Sequence, residues 1–154
     1  MRCEFIRGDG LVLPNNVTNA GIVRLLGALF QTADYASTAL YMGLCDGVYS
    51  PAMTISSITE PTSGTNGYAR VNLPRASTTW TQGNLSGEPY VECEPVVFAP
   101  TSTGFDQPIT RAFISSNLTG EAVLMLSSPL AIPVTLTPST PLIERTFKYR
   151  LYLR

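Results

Sequence analysis

Histidine is absent from these 154 residues. That absence removes Ser-His-Asp and Cys-His nucleophile activation, the imidazole general base and every histidine-ligated metal site. Charge is scarce as well: Asp, Glu, Lys and Arg supply 14% of the chain, against about 25% in an average globular protein. So thin a coat points to surface covered by copies of the chain or by a partner, although the abundant Ser and Thr can also coat a surface without charge. Lysine occurs once, at Lys148, beside nine arginines. Arginine makes planar, bidentate contacts and is enriched at interfaces; GC-rich coding would give the same bias. Cys3, Cys45 and Cys93 form no Cys-x-x-Cys pair, and an odd number of cysteines cannot complete an internal disulfide framework. They are expected to be small buried apolar residues in a reducing compartment.

Other absences narrow the reading further. No apolar run approaches the 18 or so residues of a membrane span. The opening MRCEFIRGDG carries charges where a secretory h-region would be apolar, so synthesis and folding in a cytoplasm are expected. A net charge of −1 gives no electrostatic case for nucleic acid or an anionic membrane as partner. No phosphate-binding glycine motif is present. Arg-Gly-Asp at 7–9 and three Asn-x-Ser/Thr triplets read as coincidences in a chain of this composition. Neither a catalytic residue, a metal ligand nor a cofactor site is expected. Hydrolysis by two carboxylates remains open, and Glu92 and Glu94 share a strand face by period two, where a solvated face is the plainer explanation.

The length fits one domain, residues 1–154, able to bury roughly 70% of its unfolded surface. An N-terminal strand leads into NNVTNAGIVRLLGALFQ, where Ile22, Leu25, Leu26 and Leu29 recur at helical spacing and Asn15, Asn16 or Thr18 can cap. The spacing predicts a helix over about 17–31, closing an N-terminal unit of about 1–31. Beyond it, short alternating segments broken by Pro, Gly, Ser and Thr arrive at the 8–12 residue spacing of sandwiches and barrels. They include TALYMGLCDG, NGYARVNLP after a turn at Asn66-Gly67, TTWTQGN, and ITRAFISSNLTG. PYVECEPVVFAP is a strand pair or one strand bent at Pro95, and EAVLMLSSPLAIPVTLTP holds two more strands. The fold class expected is therefore mainly β, a β-sandwich or jelly-roll-like body with one short N-terminal helix. Residues 48–65, rich in Ser and Thr, form the longest stretch without a pattern and read as an extended arm or exposed loop.

The last segment, RTFKYRLYLR, holds four of the ten basic residues. As a strand it puts Phe147, Tyr149, Leu151 and Leu153 on one face and Lys148, Arg150, Tyr152 and Arg154 on the other. Two readings of the cationic face stand: docking onto an acidic or carbonyl-rich surface of a neighbouring subunit, or an edge strand whose charges block aggregation.

Taken in order, the helix, LYMGL, a Ser/Thr-rich loop ending in Gly67-Tyr68-Ala69-Arg70, a Trp80 strand, Phe98 and Pro100, and the strand at Thr110 to Ile114 resemble small structural proteins of tailed bacteriophages. The likeness spans about residues 20–136. It implies a non-enzymatic virion component made in the host cytoplasm, most similar to a capsid decoration (cement) protein on the capsid exterior. The partners it implies are the major capsid protein and copies of the chain, with threefold clustering favoured. The Arg-rich end departs from that pattern, so a tail, neck or head-fibre component is the alternative. A carbohydrate-binding or hydrolytic β-domain, using Trp80 and the Tyr90–Glu94 strand, is the second. The expected contact residues are Arg2 and Arg7, the loop residues Tyr49, Met53, Ile55 and Ile58, and the terminal cations Lys148, Arg150 and Arg154.

Overall fold

A computed structural model describes residues 2–19, 21–23, 39–116, 123–127, 130 and 133–152. The described chain is mainly β, with ten strands: β1 (Arg2–Arg7), β2 (Val12–Val17), β3 (Ala39–Cys45), β4 (Val71–Pro74), β5 (Trp80–Leu85), β6 (Glu88–Cys93), β7 (Val96–Val97), β8 (Arg111–Ser115), β9 (Val123–Ser127) and β10 (Thr146–Tyr152). All pair antiparallel, in two sheets. The first runs β2-β1-β10-β6-β5 with β7 also beside β10, and the second runs β4-β3-β8-β9-β2.

One strand serves both sheets. Val12 to Pro14 pair with β1, whereas Asn15 to Val17 pair with β9. The change of partner comes directly after Pro14, a residue without an N–H to extend a ladder. Strands that bend from one sheet into the other make the corners of two-layer β structures. Here the corner brings Phe5, Phe147 and Tyr149 of the first sheet into one core cluster with Met42, Leu44, Leu73, Ala112 and Ile114 of the second.

A second, smaller cluster lies on the other side of β8. Phe113 points away from Ala112 and Ile114, as period-two alternation requires, and meets Cys45, Met53, Ile55 and Ile58. Gly43 makes room for the Phe113 ring: a Cβ on Gly43 would sit 2.3 Å from Cζ of that ring. The loop over 48–65 is thus not an extended arm. Met53, Ile55 and Ile58 fold back under the protein while Val48 stays exposed, and an antiparallel bridge between Asp46 and Thr59 closes the loop.

The expected helix begins where Thr18 caps it. Thr18 Oγ1 accepts the Gly21 N–H at 3.0 Å, and the Thr18 carbonyl accepts that of Ile22 at 2.9 Å. Ile22, expected on the buried stripe, is 47% exposed. Leu25, Leu26 and Leu29 lie outside the described residues. PYVECEPVVFAP forms two strands along one side of β10, β6 pairing Glu92 with Arg150 and β7 pairing Val97 with Thr146. The register slips by one residue between them, at Glu94-Pro95, where proline cannot donate to the ladder.

Candidate functional site

β10 is not an edge strand. It pairs with β1 on one side and with β6 and β7 on the other, so its cations have no edge to guard, and that reading falls. Alternation holds along it: Phe147 and Tyr149 enter the core, Leu151 packs partly against it, and Lys148 and Arg150 take the opposite face. Tyr152 shares that opposite face yet is only 1% exposed. Leu153 and Arg154 lie outside the described residues.

On that face the register sets Glu4, Arg150 and Glu92 in one row across β1, β10 and β6. Arg150 holds Glu92 through Nε at 2.9 Å and Nη2 at 2.7 Å, both to Oε2. Lys148 Nζ adds 3.3 Å to Oε1. Arg150 Nη1 also donates to the Tyr152 hydroxyl at 3.2 Å, and that hydroxyl donates to Glu4 Oε2 at 3.2 Å. The guanidinium lies 4.4 Å from the centre of the Tyr90 ring, within cation–π range. Partial burial pushes the Glu92 carboxyl up, but the hydrogen bonds and charge of Arg150, with Lys148 behind them, outweigh it and hold Glu92 below the ordinary carboxylate value. The acidic surface that Lys148 and Arg150 were expected to meet on a neighbour is therefore supplied within the chain. Glu92 is also no simply solvated strand acid, its side chain being 13% exposed.

A second polar group supports the loop over 48–65. The Tyr68 hydroxyl, 2% exposed as a residue, accepts the Leu44 N–H at 3.1 Å and lies within hydrogen-bonding reach of the Leu44 carbonyl at 3.0 Å and Glu60 Oε2 at 2.8 Å. Glu60 in turn takes a bidentate ion pair from Arg70, whose guanidinium stands 5.3 Å from the centre of the Phe113 ring. Beside it, Thr110 donates to Asp46 Oδ1 at 2.7 Å, and Arg111 Nε donates to the Gly47 carbonyl at 2.7 Å. These groups lock β3, β8 and the loop together.

The expected contact residues fall into five groups. Arg7 turns back on Asp9, with Nη2 to Oδ2 at 2.6 Å, and so ties the β1–β2 turn. Arg2 opens β1 opposite Tyr152. Met53, Ile55 and Ile58 are 4%, 8% and 9% exposed and belong to the Phe113 cluster, which corrects their assignment to a partner surface. Tyr49 packs on the same cluster and donates its hydroxyl to the Val17 carbonyl at 3.0 Å. Lys148 and Arg150 are the pair already described.

A different set of apolar side chains is exposed. Leu11 (42%), Val12 (46%), Val97 (44%), Leu142 (56%) and Ile143 (53%) gather where the β1–β2 turn, β7 and the 3-10 turn at Leu142–Arg145 meet. Gly8 joins them: its N–H bonds the Thr146 carbonyl at 2.8 Å, and a Cβ there would lie 2.6 Å from the Ile143 carbonyl. Reading by strand pattern missed this end because its residues come from three separate stretches of the chain, the β1–β2 connection with the start of β2, β7, and the 3-10 turn. All three cysteines are free and buried. Burial raises each thiol, that of Cys93 to about 11, which keeps them protonated and unreactive. No group of three or more Cys, Asp or Glu arranged to hold a metal occurs among the described residues, and no helix among them is long and apolar enough to cross a membrane. No protein-family model matches the chain, and no curated protein matches it in sequence.

Proposed function

We propose that the chain is a non-enzymatic structural protein of a tailed-phage virion, a capsid decoration protein held on the shell exterior by contacts with the major capsid protein. The observation that carries this reading is the exposed apolar end formed by Leu11, Val12, Val97, Leu142 and Ile143. Large apolar side chains left exposed on neighbouring segments are what a partner surface covers. The carboxylates support it too. Glu60 and Glu92 are neutralised by Arg70 and by Arg150 with Lys148, while Asp9 pairs with Arg7.

The fold we propose is a sandwich of jelly-roll type. Its support is the nesting of the strand pairs, β1 with β10, β2 with β9 and β3 with β8, as a long folded hairpin would give. Jelly rolls occur in viral capsids and in lectins, so the architecture by itself does not decide the function. Against a sugar site, the Trp80 indole N–H is held by the Pro74 carbonyl at 3.0 Å, its ring packs edge-on against Tyr149, and Arg150 stands over Tyr90.

The test is binding of the purified chain to capsids assembled without it. Saturable binding at a fixed ratio to the major capsid protein is expected, and Leu142→Ser with Ile143→Ser lowers occupancy while leaving the melting temperature in place. Saturable binding to a glycan array with no capsid uptake overturns the proposal.

A further inference from the structure

β5 ends the first sheet, and among the described residues no strand pairs with its outer edge. Pro89 has no N–H, so Asn84 and Pro89 form a non-hydrogen-bonded pair. Alternation then turns the backbone groups of Thr81, Gly83 and Leu85 toward β6, and those of Trp80, Gln82 and Asn84 outward. The hairpin turn fixes the same phase. Ser86 and Gly87, at φ 53° and 86°, make the two-residue loop that a Leu85–Glu88 bonded pair closes. The outward Trp80 N–H is met by the Ala76 carbonyl at 3.0 Å. Among the described residues no strand lies beyond Gln82 and Asn84.

Natural sheets blunt such edges with lysine, proline or a bulge. The sequence of β5, WTQGNL, contains no charged residue and no proline. The opposite edge is treated differently: β4 has four residues and ends at Pro74, whose carbonyl already takes the Ala76 N–H and the Trp80 indole.

We infer that β5 pairs antiparallel with β5 of a second copy about a two-fold axis at Gly83, continuing the first sheet across the pair. In that register Gln82 faces Asn84 of the other copy and Asn84 faces Gln82, so each outward N–H meets a carbonyl. An uncharged strand meets itself without repulsion. Gly83 faces Gly83 in a non-hydrogen-bonded pair, where the chains come within about 4.5 Å of each other. Gly83 brings no side chain of its own to the seam; the space a Cβ would use is covered by the Tyr90 ring of the same chain, its hydroxyl oxygen 2.5 Å from that position. A single open edge can be shared with the same edge of another copy but not passed round a ring, so this contact closes at a dimer. The threefold clustering implied by the phage resemblance would need another surface. The pairing follows from the register and composition of β5, independently of the virion reading.

Sedimentation of the full chain over a concentration series, with amide exchange on the same samples, tests it. The expected result is a monomer–dimer equilibrium in which the Gln82 and Asn84 amides slow with concentration. Gln82→Pro removes an outward donor and puts a ring in the partner's path without touching the bonds to β6, and it should weaken dimerisation at least tenfold with exchange in β6 unchanged. A dimer that persists undiminished in Gln82→Pro overturns the inference, as does a wild-type monomer at all concentrations. Protection of Gln82 and Asn84 only on adding capsids would give the edge to a strand of another protein, and would likewise overturn it.

Discussion

Replacing Met53 by alanine separates a loop that builds the protein from an arm that reaches a partner. Met53 is 4% exposed and sits with Cys45, Ile55, Ile58 and Phe113 under the loop over 48–65. Truncating a buried methionine to alanine costs about 2–5 kcal/mol, depending on how far the site collapses. This cluster is small and roofed by a loop that can settle inward, which places the cost near the lower end, about 2 kcal/mol. For a chain of this length each kcal/mol lowers the melting temperature by about 2–4 °C, so a drop of about 4–8 °C is expected. Differential scanning calorimetry measures it, and limited proteolysis shows whether cleavage rises first within 48–65. A melting temperature within 1 °C or so of wild type, with the loop already cut readily in the wild type, would refute the packing described for it.

Three further perturbations probe separate parts of the fold. Tyr68→Phe leaves the Leu44 backbone and Glu60 without their shared hydroxyl; urea denaturation should show a loss of about 1–3 kcal/mol, and no loss would mean that water replaces it. Gly67→Ala meets both a φ of 81° and the Ala99 carbonyl 2.8 Å from the new Cβ, so it should destabilise by more than the roughly 1–2 kcal/mol of the left-handed backbone alone; thermal melting reads the result. Glu92 is held ionised by Arg150 and Lys148. A depressed folded pKa stabilises fully above the ordinary carboxylate range and less as pH falls through the folded value. Glu92→Gln should therefore lower the urea midpoint at pH 7 and flatten its acid dependence below about pH 4.5; an unchanged profile would show the pair to be idle.

Local patterning made the strands legible, and distance in sequence hid what joins them. Asp46-Gly47 marks the end of β3, and alternation in FKYRLY assigns Phe147 and Tyr149 to the core. Asn66-Gly67 is a turn, with both φ positive, but the strand after it begins only at Val71, because Tyr68 and Arg70 turn to Leu44 and Glu60. The partner of Lys148 and Arg150 lies 56 and 58 residues away, so no spacing rule could identify Glu92. Met53, Ile55 and Ile58 follow no single strand or helix period, and their common target, Phe113, belongs to another segment. The β5–β6 hairpin did leave a signal: Ser86-Gly87 between two alternating runs is a two-residue turn.

The central claim, a shell protein working by contact and not by catalysis, is tested most directly by cryo-electron imaging of virions that carry the chain. The account predicts copies on the outer capsid surface at repeating lattice positions, with Leu142 and Ile143 turned toward the major capsid protein. Particles with no copy on the shell, or copies confined to the tail, would contradict it.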